Sequence, residues 1–246
     1  MTGHWADAPL TGFDLETTTT HPATARIVSA ALVTVDPDGA IHRTTWLADP
    51  GVPIPAEATA VHGISTEQAR TGGAPIREVL QEVAADLEAL WADGAPIVVM
   101  NAPYDLTVLG RELARYRMVP LDVGPVVDPL PIDWACVRGP SGGPGRRHRR
   151  LSALADYYGV RAADPHTADG DALTAVLVAR AQVEQHEVLR QMDLVELQMW
   201  QAIVYRGWAV EYERLLRADG RPDAVVGRSW PVRPVPVVQD QEGAQA

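Results

Sequence analysis

Three short segments carry carboxylates or an imidazole at spacings that could do chemistry. The first is Phe13–Thr20, FDLETTTT. On a strand, Asp14 and Glu16 would share one face ~6.6–7 Å apart, with Leu15 pointing the other way. Two carboxylates so placed repel each other unless a cation sits between or beside them. The alternative is an edge strand with two solvated acids. The second segment is Val98–Leu109, VVMNAPYDLTVL. A buried strand ends at Met100, the chain turns through Asn101–Pro103, and Asp105 falls in the first turn of a helix. The helix dipole favours an acid there on its own account. Asn101 is the only asparagine in the chain, which suggests a specific hydrogen-bonding job at this switch. The third segment is Asp164–Ala172, DPHTADGDA. Inside one helix His166 and Asp171 would diverge by ~140°. They converge if His166 lies in the preceding loop and Thr167 caps the helix. Gly170 costs such a helix up to ~1 kcal/mol relative to Ala, so its presence asks for a further reason. For His166 the alternative is a solvated neighbour of the cap.

Composition removes several other chemistries. The chain has 246 residues, the size of one large domain or one domain plus an extension. A net charge of −11 argues against a broad basic face for duplex nucleic acid. All 21 basic residues are Arg. Without lysine, neither a Schiff base nor a Walker-A nucleotide site can form. Cys136 stands alone, which excludes an intrachain disulfide, a CxxC pair and a multi-Cys zinc site. A lone thiol fits a reducing cytosol, so a cytoplasmic location is expected. The start, MTGHWADAPLTG, lacks the pattern of a signal peptide. No apolar run approaches the ~18 residues of a membrane span, so no membrane association is expected.

The surrounding elements would have to position the three segments. Thr11–Thr17 reads as a strand. Arg26–Val35 is β-branched and apolar, and Asp36–Gly39 is a turn, so strand, turn and strand run on through Trp46. Ser65 and Gln68 have capping-box spacing. Pro75–Asp93 repeats its apolar residues at helical period. Pro96–Met100 reads as a buried strand and Pro103–Tyr116 as a helix. Val126–Trp134 reads as a further buried strand, with its two prolines counting against it. Arg138–Arg150 is a loop, Leu151–Tyr158 a helix, and a longer helix spans about Thr167 to His186. Asp193 and Glu196 form a second capping box, opening a helix to about Ala218. The expected division is an α/β domain over 1–190, a C-terminal helix over 191–219 and an extended, partly disordered tail over 220–246. Strands alternating with helices imply a mixed sheet covered by helices.

Taken together, FDLETT, NAPYD and HTADGD resemble the signature blocks of the DEDD exonucleases, in the variant whose fifth member is His. That family includes the proofreading epsilon subunit of bacterial DNA polymerase III and stand-alone actinobacterial enzymes. Asp49–Ser65 and Arg149–Val160 resemble it too, and the likeness runs from about Gly12 to His186. It implies a ribonuclease-H-like fold, a mixed five-stranded sheet flanked by helices, here with a C-terminal helical extension. It implies that Asp14, Glu16, Asp105 and Asp171 hold two divalent cations and that His166 is the general base. Oxygen ligands without thiolates favour Mg²⁺ or Mn²⁺ over zinc. The activity implied is 3′→5′ hydrolysis of DNA, at single-stranded or frayed ends, releasing nucleoside 5′-monophosphates in proofreading or repair.

An RNA-trimming enzyme would use the same five residues, and that reading stays open. A non-catalytic module binding a polymerase or nucleic acid is the alternative of another class. The five filled positions weigh against it. Met100 stands where the family often has His, and Tyr104 where it usually has Phe. By the same resemblance the main chain of Leu15, with Thr17, Asn101 and Tyr104, would line the substrate mouth. His62 either lies near it or merely supports the turn at Gly63. Arg138, Arg146, Arg147, Arg149 and Arg150 form the one dense positive run. Arg147 and Arg150 would grip phosphates, or the whole run is a solvated loop. The partners expected are DNA 3′ ends, with RNA and a polymerase as further candidates. Trp200, Tyr205, Trp208 and Tyr212 would pack the C-terminal helix onto the domain or onto a second copy in a homodimer.

Overall fold

The hairpin expected around Asp36–Gly39 forms, joining two strands of the sheet. Gly39 adopts φ 90°, and the main chains of Asp36 and Ala40 close the turn at 2.9 Å. A computed structural model of the chain describes residues 4–137 and 150–234. Its strands are β1 (Leu10–Thr17), β2 (Ile27–Val35), β3 (Ile41–Asp49), β4 (Ala74–Pro75), β5 (Ile97–Val98) and β6 (Val126–Val127). They form one sheet in the order β4-β3-β2-β1-β5-β6. The two-residue β4, beside Ala48 and Asp49, is the strand beyond the five expected. β2 runs antiparallel to β1 and β3, while β5 and β6 run parallel to β1 and to each other. The fold is a mixed sheet flanked by helices, with a helical C-terminal part.

Helices α1 (Ala56–His62), α2 (Thr66–Gly72), α3 (Ile76–Ala92), α4 (Ala102–Arg115) and α5 (Pro129–Cys136) alternate with the later strands. Helices α6 (Leu151–Tyr158), α7 (Ala168–Gln185), α8 (Glu187–Arg190) and α9 (Leu194–Ala218) follow. Alternation along the strands splits the core in two. Phe13, Leu15, Ala30, Leu32, Ile97 and Val99 pack with α3 and α4 on one face. Leu10, Val33, Val35, Val98 and Val127 pack with α7 on the other. Asp14 and Glu16 therefore project on the side opposite Leu15, toward α7. Gly12 lets α7 lie directly on β1. A Cβ there would overlap the Ala172 carbonyl oxygen and sit 2.9 Å from Val176 Cγ2.

Both capping boxes form as the spacing predicts, at Ser65–Gln68 and Asp193–Glu196. One segment differs. Val126–Trp134 is not a strand throughout, because the ladder stops at Val127 and α5 begins at Pro129. Asp128 caps that helix, accepting the Leu130 N–H at 3.0 Å. Proline at a first helical position loses no hydrogen bond, so the prolines mark a helix start.

Helix α9 covers the β6 edge of the sheet. Gln198 Oε1 accepts the Val126 N–H at 3.1 Å, and Gln201 Oε1 accepts the Asp128 N–H at 2.7 Å. These amides replace the missing neighbour strand, which blunts an otherwise open edge. Tyr205 is buried, and Trp208 stacks on Trp134 at 4.3 Å, so these aromatics face the domain. Val195, Met199, Ile203 and Val210 are exposed. Among the described residues no helix is long and apolar enough to cross a membrane.

Candidate active site

Three elements converge at the end of β1. β1 supplies Asp14 and Glu16, and α7 supplies Asp171. One carboxylate oxygen from each of the three lies within 4.8 Å of the others. Helix α7 is started by Thr167, whose Oγ1 accepts the Gly170 N–H at 3.2 Å. The same hydroxyl donates to the Asp164 carbonyl at 2.9 Å, folding the preceding loop back over the first turn. A Cβ at Gly170 would overlap that carbonyl, which explains the glycine. His166 rides on this loop, exposed, with φ 62°. A non-glycine residue in the left-handed region marks a backbone held by its surroundings. Its N–H donates to the Asp171 carboxylate, and its ring attracts the same group.

Asp105 arrives from α4. The chain leaves β5 and turns at Asn101, which has φ 60° and ψ 49°. The Asn101 and Ala102 N–H groups donate to the two oxygens of Asp128, at 2.9 and 3.0 Å. Asp105, only 4% exposed, accepts the main-chain N–H groups of Leu15 and of itself. One residue earlier, the Tyr104 hydroxyl bonds the Thr17 hydroxyl and donates to the Thr19 carbonyl.

Partial burial raises the carboxyls of the cluster, and their mutual repulsion adds to it. Burial, then Asp105, Asp171 and Glu16, hold the Asp14 carboxyl well above the usual carboxylate range. Burial, then Asp171, pushes Glu16 up to about 7. Burial also raises Asp105 strongly, with Glu16 adding to it and the two N–H donors opposing. Asp171 is raised by burial and eased by His166. Burial holds the Tyr104 hydroxyl up at about 12, so it stays a phenol. Clustered acids of this kind can all ionise only if cations join them. A donor set made of carboxylate oxygens alone suits a hard divalent ion, so the residues fit such a group.

The remaining expected site residues fall in different places. Leu15 is buried with its side chain in the core, while its N–H serves Asp105. Thr17 and Tyr104 are joined to each other beside the acids. Asn101 matters through its main chain, since its side chain makes no capping bond. His62 is 8% exposed and its Nδ1 accepts the Ile64 N–H at 3.1 Å, which supports the turn at Gly63. Arg150 is exposed and precedes α6. Arg147 lies outside the described residues, as do Arg138, Arg146 and Arg149. Sequence reasoning missed Asp128, which is fully buried and pushed up to about 6 by that burial, against four N–H donors that lower it. Its signal was an Asp directly before Pro129, the pattern of a helix N-cap.

Residues 11–179 match the RNase_T family, described as Exonuclease. The chain belongs to this family. Its members are exonucleases, hydrolytic nucleases, and the relatives place the chain with the DEDDh type. It is 27% identical over 176 residues to DNA polymerase III subunit epsilon of Treponema pallidum, covering 72% of this chain and 77% of that protein. It is 33% identical over 170 residues to a DNA polymerase III subunit epsilon-like protein of Rhodobacter capsulatus, covering 65% of this chain and 21% of that one. The match to DNA polymerase III PolC-type of Mycoplasma pneumoniae is 30% over 132 residues, 52% of this chain and only 8% of the relative. Among solved structures, E. coli Exonuclease I in complex with a dA16 oligonucleotide superposes with a TM-score of 0.58 at 19% identity. That likeness covers 81% of this chain and 44% of the other, and it shows the shared fold.

Proposed function

We propose that the chain is a 3′→5′ exonuclease that removes nucleoside 5′-monophosphates from single-stranded or frayed DNA ends, in proofreading or repair. The observation that carries this reading is the cluster of Asp14 and Glu16 from β1 with Asp171 from α7 on one partly buried spot, with Asp105 of α4 close enough to raise Asp14. Asp14, Glu16, Asp105 and Asp171 would hold the two divalent cations, Mg²⁺ or Mn²⁺. Bound there, such ions supply Lewis-acid stabilisation of a phosphodiester under attack. His166 takes the proton from the attacking water, since it is exposed to solvent and held beside Asp171. The Asp171 carboxylate accepts the His166 main-chain N–H and so holds the loop that carries the ring. The Tyr104 phenol, tied to Thr17 and Thr19, fixes one wall of the mouth, and its ring offers a base a stacking face. Asn101 lies at the same mouth, and the positive charge of Arg150 would attract the phosphates of the strand.

The names of the polymerase III relatives support DNA as substrate. Association with a polymerase, a cytoplasmic location and pairing of copies through α9 belong to the same proposal. The test is digestion of matched 5′-labelled DNA and RNA strands with Mg²⁺ or Mn²⁺. Stepwise shortening of DNA that stops on chelation and in Asp14→Ala is the expected result. Undiminished digestion by Asp14→Ala would reject the site. Faster shortening of RNA would transfer the substrate to RNA.

A further inference from the structure

The helix that aims Tyr104 and Asp105 rests on one buried carboxylate. Asp128 Oδ1 accepts the N–H groups of Asn101 at 2.9 Å and Leu130 at 3.0 Å. Asp128 Oδ2 accepts the Ala102 N–H at 3.0 Å and the Trp230 indole N–H at 3.1 Å. All four donors are neutral N–H groups. Three come from the turn and the cap beside Asp128. The fourth comes from the far end of the chain, 102 residues away.

Trp230 belongs to a segment that contacts α4 more than once. The Arg233 N–H donates to Thr107 Oγ1 at 2.9 Å, two residues beyond Asp105 on the same helix. Trp230 and Val232 pack on the apolar cluster that contains Leu106 and Leu109 of α4. The other end of the segment is pinned to α9, where Glu213 accepts the Val226 N–H at 3.1 Å and Arg228 Nη2 at 3.3 Å. One short stretch therefore ties α9 to the root and the flank of α4.

We propose that residues 226–233 are a positioning strap, in which Trp230 completes the donor set on Asp128 and so fixes the left-handed turn at Asn101 that aims Tyr104 and Asp105. The inference rests on the function proposed above, because that site is what the strap serves. Asp128 and Trp230 are positioning residues, acting through α4. If the indole N–H is lost, Oδ2 keeps only the Ala102 N–H. The carboxylate then re-seats, and the first turn of α4 loses its anchor. Catalysis is sensitive to such a shift, since a ~1 Å misplacement of reacting groups costs about 10²-fold.

The test uses the full chain with Trp230→Phe, which keeps an aromatic ring and removes the donor, and Asp128→Asn. Three quantities are read: kcat and KM on a labelled oligonucleotide with Mn²⁺, the unfolding midpoint, and amide exchange resolved over residues 99–106 and over β1. For Trp230→Phe the expectation is a fall in kcat of about 10-fold with KM within about twofold. Exchange at Asn101, Ala102 and Tyr104 rises about 10-fold while β1 stays protected. Asp128→Asn, which turns one acceptor into a donor facing N–H groups, lowers kcat further or fails to fold. Either result leaves Trp230→Phe to decide. A Trp230→Phe kcat within twofold of wild type overturns the strap, as does a loss accompanied by equal loosening of β1. If the wild-type chain shortens no oligonucleotide, the functional reading fails, and the exchange comparison still decides the strap.

Discussion

Replacing Glu16 by Gln should make the metal-free protein more stable at alkaline pH and less responsive to divalent cations. Glu16 titrates at about 7 in the folded chain against a usual 4.5, through burial first and Asp171 second. The folded state therefore holds this proton more tightly than the unfolded state does. That contribution is fully present below pH 4.5 and is lost as pH rises through about 7. At ~1.4 kcal/mol per pH unit, the loss by pH 8 comes to about 3 kcal/mol. Solvent reaches part of the carboxylate, and screening brings the figure to ~2 kcal/mol. For a chain of this length ~2 kcal/mol is a shift of about 4–8 °C in the unfolding midpoint. Gln cannot ionise, so in chelator Glu16→Gln should match wild type near pH 5 and exceed it by that margin at pH 8. Divalent cations should reverse the order. At a hundred times Kd they stabilise wild type by ~2.7 kcal/mol, and the variant gains less because it offers one ligand fewer. The assay is thermal unfolding from pH 5 to 8, in chelator and with Mg²⁺ or Mn²⁺. A wild-type midpoint that is flat with pH in chelator would refute the repulsion argument. Equal stabilisation of both proteins by the cation would refute Glu16 as a ligand.

His166→Ala should slow hydrolysis by ~10²–10⁴ while leaving cation-induced stabilisation in place, measured by single-turnover rates beside melting curves. Gly12→Ala forces β1 and α7 apart, since its Cβ would overlap the Ala172 carbonyl. It should cost ~1–3 kcal/mol in denaturant titrations and displace Asp171, with a matching loss of activity. Tyr104→Phe removes a hydroxyl bonded to Thr17 and Thr19. It should cost about 1 kcal/mol of stability and lower activity modestly. Wild-type stability in that variant would show that the bond contributes nothing.

The features legible in the sequence were those settled by a few neighbouring residues. Strand alternation placed Asp14 and Glu16 on one face, and the Thr167 cap put His166 in the loop before Asp171. Both capping boxes formed where their spacing indicated. Gly170 looked costly for a helix, and its reason, the Asp164 carbonyl folded against it, is visible only in three dimensions. Val126–Trp134 departs from the strand its sequence suggests because a short apolar run reads alike as strand or buried helix, and the cap at Asp128 decides between them. The aromatics of α9 could have faced the domain or a second copy, and Trp134, far away in sequence, claimed Trp208.

What the chain determined by itself was local: which residues repeat, which cap, and which acids share a strand face. Only the tertiary structure decided that β1, α4 and α7 meet, because that depends on strand order and on the close approach allowed at Gly12. It also decided that Asp128 and Trp230, distant along the chain, support the helix bearing Asp105. A buried carboxylate takes its donors from whichever backbone folding brings to it, and no spacing rule records that.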